Sequence, residues 1–155
     1  MVDQSTVVLG LGNLLRRDEG LGVWALQRLA RHRLPDSVRL LDGGTLGLDL
    51  ISEVEGCASL VVLDAILAGA EPGTLVRLAD DAVPGAPGLR TSMHEVGLDD
   101  LLAVLRLRGS MPRRVVVLGV EPSETELGWG VSPAVEGGLD ALVEAAAREV
   151  SACTS

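Results

Sequence analysis

Five short apolar runs, separated by longer stretches with helical spacing, restrict the fold of this 155-residue chain more than any other feature. The runs "LVVLD" and "VVVLGV" are almost continuously apolar, as expected for strands buried on both faces of a parallel sheet. Strands that alternate with helices predict an α/β fold, a three-layer α-β-α sandwich around a mostly parallel, twisted sheet. We expect one domain that spans residues 1–155. The predicted strands are Thr6–Leu9, Val38–Leu41, Leu60–Leu63, Thr74–Leu78 and Val115–Val120.

The connection before the fourth run breaks this pattern. Ala65–Gly73 is nine residues long, whereas a parallel crossover needs roughly a dozen or more. We therefore predict that Thr74–Leu78 runs antiparallel, at an edge of the sheet. Helices are predicted where leucines recur at i, i+3, i+4 and i+7, around Leu98–Leu105 and again around Val135–Ala146.

Composition restricts both the core and the partners. Hydrophobic residues make up 47% of the chain, yet Phe and Tyr are absent, so the core must be aliphatic. The formal net charge of −9 repels phosphate backbones, which argues against nucleic acid and favours a cation or a basic peptide.

Membrane and secretory functions are not expected. The most apolar stretch, around Leu60–Ala70, contains Asp64 and is too short to span a bilayer. The chain opens without a secretory signal pattern, so we expect a cytoplasmic protein in which Cys57 and Cys153 are free thiols. We also expect a monomer, because 155 residues can fold alone.

A glycine-rich turn follows the first strand, in "GLGNLLRRDEGLGV" (Gly10–Val23). A dinucleotide-binding fingerprint would need a third glycine at the position of Leu15, and a P-loop would need G-K-[ST]. Asp18 and Glu19 would also repel a phosphate at this turn. A nucleotide site is therefore disfavoured, and Asp18 is predicted to cap the following helix.

Four potential ligands follow strands or precede helices in the predicted fold. Glu19 lies after the first strand, Asp42 and Asp64 end the second and third, and His94 precedes a helix. Such positions gather along the carboxyl edge of an open α/β sheet, where ligands bind. A Glu, an Asp and a His at one edge would suit zinc, nickel, manganese or iron. Each residue also has an ordinary structural explanation, as a turn former or a surface side chain.

Several catalytic schemes can be excluded. The only histidines are His32 and His94, so an H-E-x-x-H metal site is impossible, and no G-x-S-x-G elbow occurs. Cys57 precedes a strand, which places it at the edge opposite the predicted site. His32 is predicted to lie in solvent at a helix end.

Five stretches, in order from about Val7 to Val150, together resemble the nickel–iron hydrogenase maturation endopeptidases. The combination of G-x-G-N-x-L-x-x-D-E-G-x-G with D-G-G-T is the most specific part of this resemblance. The five stretches are "GLGNLLRRDEGLGV", "LLDGGTLGLDLI", "LVVLDAI", "TSMHEVGLDDLLAVLRLRG" and "VVVLGVEPSETELGWGVSPAVEGGL".

The resemblance implies a five-stranded sheet between helices and an endopeptidase activity. Members of the family remove a short C-terminal extension from the hydrogenase large-subunit precursor after nickel has been inserted. It further implies that Glu19, Asp64 and His94 bind the metal and act in catalysis, and that Asp42, Gly43 and Gly44 belong to the substrate cleft. Nickel would arrive with the precursor, and the protein would hold no tightly bound cofactor of its own.

The sequence leaves alternatives open. Cleavage could use a carbonyl or a water polarised by the metal, or a carboxylate acting as general base while nickel only positions the peptide. A different class of function is a non-catalytic metal or nucleotide sensor, or an adaptor that binds the precursor without cutting it. Two long loops, Asp80–Met93 with Arg90 and Glu121–Ser132 with Trp129, are candidates for contacting the partner.

Overall fold

Five strands form one sheet in the computed structural model, which describes residues 5–44, 48–83 and 98–154. The spatial order is β2-β1-β3-β5-β4. All neighbours are parallel except β4, which pairs antiparallel with β5. The predicted antiparallel edge strand is thus confirmed. The strands are β1 (Thr6–Leu11), β2 (Val38–Gly44), β3 (Ser59–Ala65), β4 (Leu75–Ala79) and β5 (Arg114–Val120).

Helices cover both faces of this sheet and confirm the three-layer arrangement. Side chains of α1 and α4 form one buried cluster with the sheet, and those of α2 and α3 form another on the opposite face. The helices are α1 (Leu21–Leu29), α2 (Ile51–Val54), α3 (Leu98–Leu107) and α4 (Pro133–Thr154).

Side chains of successive residues in the central strands point to opposite faces of the sheet and so belong alternately to the two clusters. In β3, Val61 packs towards α1 and α4, whereas Leu60 and Val62 pack towards α2 and α3. This alternation follows from the two-residue period of a strand. Because both faces are covered, every position of the run is apolar, and the resulting core is aliphatic, as the composition requires.

The central strands β1, β3 and β5 are parallel and end at the same edge of the sheet. We call this the carboxyl edge; it carries the turn after β1, the end of β3 and the long loop after β5. The edge strand β4 starts there too, since Leu75 pairs with Val120. None of the helices in the described part of the chain is long and apolar enough to cross a membrane.

Candidate active site

Asp64 lies at the carboxyl edge as the penultimate residue of β3, where it pairs with Gly119 of β5. One carboxylate oxygen, Oδ1, accepts a hydrogen bond of 2.8 Å from the Ala65 amide. The pKa of Asp64 is raised to about 7, mainly by burial and to a smaller extent by the negative charge of Glu19, against the opposing effect of the Ala65 hydrogen bond. Asp64 is therefore a desolvated acid with a second acid nearby.

Glu19 lies on a 3-10 turn, Arg17–Gly20, between β1 and α1. Two glycines allow this turn to lie against the strand ends. Gly12 has a φ of +134°, and a Cβ on it would be 1.9 Å from the carbonyl oxygen of Glu19. A Cβ on Gly22 would be 2.1 Å from the carbonyl oxygen of Leu63. In a dinucleotide-binding fingerprint, the third glycine allows the helix to pack closely against the strand. Gly22 has this role here.

The Glu19 carboxylate is largely buried, with 13% of its side chain exposed. Its Oε2 is inaccessible to solvent and accepts no hydrogen bond from any residue that the structure describes. The nearest cation among those residues is Arg16, whose Nε lies 4.0 Å from Oε2. A buried carboxylate oxygen without a donor is costly. It is also the kind of atom that a metal ion could satisfy, so Glu19 and Asp64 fit the predicted ligand pair.

The third predicted ligand, His94, lies outside the described residues, as do Arg90 and most of the loop Asp80–Met93. The described ranges contain no group of three or more His, Cys, Asp or Glu side chains that could hold a metal ion. The structure therefore brings Glu19 and Asp64 together and leaves the histidine untested.

Asp42, Gly43 and Gly44 end β2, next to the end of β1. The exposed Asp42 accepts a hydrogen bond of 2.9 Å from the Gly44 amide through Oδ1. The Gly44 carbonyl in turn accepts one of 2.7 Å from the Gly12 amide. This loop thus adjoins the turn that carries Glu19, and Asp42 stabilises it as a turn former.

Asp18 does not cap α1, so that prediction was wrong. Its side chain is fully buried and receives hydrogen bonds from a distant part of the chain. Oδ2 accepts from the amides of Ser123 and Glu124 at 2.8 Å and from the Ser132 hydroxyl at 2.8 Å. Oδ1 accepts from the Ser132 amide at 2.7 Å. Asp18 therefore fixes the loop after β5, and the start of α4, to the turn beside Glu19.

Backbone contacts attach the same loop to the residues before Asp18. The Gly128 amide donates to the Leu15 carbonyl at 2.9 Å, and the Arg17 amide donates to the Gly128 carbonyl at 3.1 Å. Arg17 has a φ of +44°, in the left-handed region. Its guanidinium lies within 3.6 Å of Glu124 and 3.8 Å of Glu126. The loop after β5 is therefore built onto the Glu19 turn.

Glu121 is a further buried acid at the carboxyl edge, and the sequence did not indicate its role. It is 4% exposed, and its Oε2 accepts a hydrogen bond of 3.0 Å from the Ala68 amide. This bond joins the loop after β5 to the loop after β3, three residues beyond Ala65. Its position at the start of a long loop was the only sequence signal.

Other predicted positions are confirmed. Cys57 is buried just before β3, at the edge opposite Glu19 and Asp64. His32 is exposed beyond the end of α1. Trp129 is 64% exposed, and the edge of its ring packs against Trp24 with a centroid distance of 5.2 Å and an interplanar angle of 88°.

Comparison with known proteins agrees with this architecture. The family model HycI, hydrogenase maturation protease, matches residues 23–149. The hydrogenase expression/formation protein HupD of Rhodobacter capsulatus is 43% identical over 152 residues, which cover 96% of this chain and 72% of HupD. The structure of the hydrogenase maturating endopeptidase HybD from E. coli superposes with a TM-score of 0.85 at 37% identity, covering 94% of this chain and 93% of HybD.

A more distant solved structure has the same fold. The [NiFe] hydrogenase maturation protease HybD from Thermococcus kodakarensis is 28% identical, with a TM-score of 0.76 over 94% of this chain and 99% of that one. The fold, the identity and the family match all point to one class of enzyme, the endopeptidases. The chain belongs to the hydrogenase maturation protease family. It is thus a peptidase, and the sensor and adaptor alternatives are not favoured.

Proposed function

We propose that this peptidase removes the C-terminal extension of a nickel–iron hydrogenase large-subunit precursor after nickel has been inserted. Glu19, Asp64 and His94 engage the inserted nickel and place the scissile peptide beside it. The family, and the similarity to a [NiFe] hydrogenase maturation protease of Thermococcus kodakarensis, support the class of substrate. The electrostatic effect of Glu19 on Asp64 supports the role of the residues.

One observation carries the proposal: two largely buried acids from different elements lie close enough at the carboxyl edge for the charge of Glu19 to act on Asp64. Burial and the charge of Glu19 both raise the pKa of Asp64, and Glu19 Oε2 has no hydrogen-bond donor among the described residues. Two such carboxylates repel one another unless a cation lies between them. A divalent metal ion that arrives with the substrate would supply that cation.

The ligand set explains why the nickel comes with the precursor. Two carboxylates and one imidazole provide no thiolate, and the buried Cys57 lies at the opposite edge. Such a set holds nickel loosely compared with a site that includes cysteine. The protein therefore keeps no resident metal and recognises the ion already held by the precursor.

The proposed cleavage chemistry follows from the coordination of nickel by both Glu19 and Asp64. A carboxylate that coordinates nickel is no longer available as a free general base. The nickel would supply a Lewis acid beside the scissile peptide, and a water molecule would be the nucleophile that attacks the carbonyl carbon. Glu19 and Asp64 would fix the position of the nickel. The cut thus depends on a loaded metal centre.

Asp42, Gly43 and Gly44 form the path of the extension in this proposal. They end β2, which is an edge strand of the sheet. An exposed sheet edge can pair with an extended peptide through main-chain hydrogen bonds. A Cβ on Gly43 would be 2.7 Å from the Leu11 side chain, so Gly43 is needed for internal packing. At Gly44 the nearest atom to a Cβ would be Asp42 Oδ1 at 3.8 Å, so this glycine leaves room for the substrate next to the turn that carries Glu19.

Incubation with nickel-loaded and nickel-free precursor tests the proposal. We expect the loaded precursor to lose a single C-terminal peptide, seen by intact mass spectrometry, and the nickel-free precursor to remain whole. Cleavage of both forms at equal rates would contradict recognition of the metal. Binding to the precursor without any cleavage would indicate an adaptor instead.

The ligand residues are tested by Glu19→Gln and His94→Ala. Each should fold normally, by circular dichroism, and lose at least about a hundredfold in processing rate, as expected when a metal ligand is removed. Cys57→Ser is the control and should process at the normal rate. Full activity in both ligand variants would remove these residues from the site. A folded but inactive Cys57→Ser would point to a thiol peptidase.

We further infer that the protein acts as a monomer in the cytoplasm and uses neither nucleic acid nor a membrane. The strongly negative net charge supports the absence of nucleic acid. Sedimentation velocity at micromolar concentration would test the monomer, and a stable dimer would contradict it.

A further inference from the structure

Exposed apolar side chains are concentrated at the carboxyl edge. Within the described residues, six large hydrophobic side chains are exposed, and Leu107 is the single one at the opposite edge, at the end of α3. Scattered exposed leucines are ordinary. A concentration at one edge, around two buried acids, marks an interaction surface. The five at the carboxyl edge are Leu15, Leu67, Leu75, Leu127 and Trp129.

Four of these residues belong to the loops that border Glu19 and Asp64, and we call them the apolar rim: Leu15, Leu67, Leu127 and Trp129. Their exposed fractions are 60%, 51%, 73% and 64% respectively. Leu15 lies four residues before Glu19, and Leu67 lies three residues after Asp64. Leu127 and Trp129 flank Gly128, which is hydrogen-bonded to Leu15 and Arg17.

The rim is held in place before any partner binds. Asp18 accepts four hydrogen bonds that fix the loop carrying Leu127 and Trp129. Glu121 ties the same loop to Ala68, the neighbour of Leu67. Apolar side chains on a preorganised surface lose little conformational entropy when they bind. The rim is thus suited to docking.

Charges beside the rim indicate which protein face it fits. Arg17 lies between Glu124 and Glu126, so this group of three carries one negative charge in excess. Glu126 is 62% exposed and faces solvent next to Leu127. The complementary surface has apolar side chains bordered by lysine or arginine. The net charge of −9 favours the same kind of partner.

We propose that the apolar rim docks the folded body of the large-subunit precursor, apart from the extension that is cut. This inference rests on the proposed function, since it assigns the surface around that same site. A linear peptide would need one groove along the sheet edge, whereas the rim spreads over the loops after β1, β3 and β5. Docking of a folded face is what brings the precursor's nickel to Glu19 and Asp64.

The double variant Leu67→Ser/Leu127→Ser tests the rim, with Leu107→Ser as the matched control because Leu107 is 87% exposed at the far edge. Processing of nickel-loaded precursor should show a KM raised by about tenfold or more, with kcat within about twofold. Leu107→Ser should match the wild type. Trp129→Ser is a second test variant. Its melting temperature must be measured together with its KM, because Trp129 packs on Trp24 and its loss can also lower stability.

Other occupants give different results. An isolated synthetic extension peptide should not compete with the precursor; competition by the peptide that the double variant abolishes would overturn the proposal. A wild-type dimer that the double variant dissociates would assign the rim to a second copy of the chain and also overturn it. An unchanged KM, or an equal loss in Leu107→Ser, contradicts docking at the rim. If the wild type fails to cut loaded precursor, the proposed function itself fails.

Discussion

At the scale of single residues, the Asp64 carboxylate is the most informative group. It is an acid at the end of a buried strand, and its neighbour Glu19 is also an acid. Burial and like charge both favour the protonated form of Asp64, which has a pKa of about 7. A site of this kind is unfavourable for stability until a cation binds.

The stability effect of Asp64 has a definite sign. Its folded pKa of about 7 lies above the ordinary value of 3.8. The stabilisation from the protonated form is therefore complete below about pH 3.8 and is lost as the pH rises through 7. We expect Asp64→Asn to raise the free energy of unfolding at pH 8 by roughly 1–4 kcal/mol in the presence of a chelator.

The same substitution should have little effect at low pH, where the wild-type carboxyl is already neutral. Urea denaturation at pH 8 and at pH 3.5, below the ordinary value of 3.8, would measure both values. Glu19→Gln removes the neighbouring charge and should lower the pKa of Asp64, as read from the NMR titration of its carboxyl carbon. If Asp64→Asn had a lower free energy of unfolding than the wild type at pH 8, the ionised Asp64 carboxylate would not be destabilising the folded protein.

At the scale of elements, the turn Arg17–Gly20 and the loop after β5 form one unit. Asp18 connects them because its carboxylate accepts hydrogen bonds from the amides of Ser123 and Ser132. These residues lie 105 and 114 positions further along the sequence. Arg17 keeps a left-handed backbone in the same contact. Such strain persists only where surrounding structure supports it.

Asp18→Asn tests this unit. Asparagine has one acceptor oxygen in place of two and adds an amide group that faces donors, so at least one buried amide loses its partner. We expect the free energy of unfolding to fall by roughly 2–4 kcal/mol, measured by urea denaturation. Asp36→Asn, at an exposed position, should change it little. Equal stability of the two variants would contradict the role of Asp18.

The elements themselves follow closely from the sequence. The apolar runs predict all five strands, and the short connection Ala65–Gly73 predicts the antiparallel β4; the structure confirms both. These features depend on local periodicity and chain length. The role of Asp18 does not depend on local features, because its hydrogen-bond partners are distant in sequence. A local pattern cannot distinguish an aspartate that caps a helix from one that accepts long-range hydrogen bonds.

At the scale of the whole molecule, the parallel sheet explains why distant residues meet. Side chains after β1 and at the end of β3 reach one edge because both strands run the same way. The sequence therefore predicts that Glu19 and Asp64 share a site, and the effect of the Glu19 charge on the pKa of Asp64 is consistent with it. His94 stays a prediction. The apolar rim was not predicted as a set, since exposure depends on the packing of several loops.

The nickel environment of the precursor gives the most direct test of the proposed role of Glu19, Asp64 and His94. Nickel-edge X-ray absorption would be recorded on loaded precursor alone and on the complex with this protein, freeze-quenched before cleavage. We expect oxygen and nitrogen ligands to be added to the nickel in the complex, and fewer of them with Glu19→Gln. An unchanged nickel spectrum in a complex that goes on to cleave would contradict direct engagement of the metal.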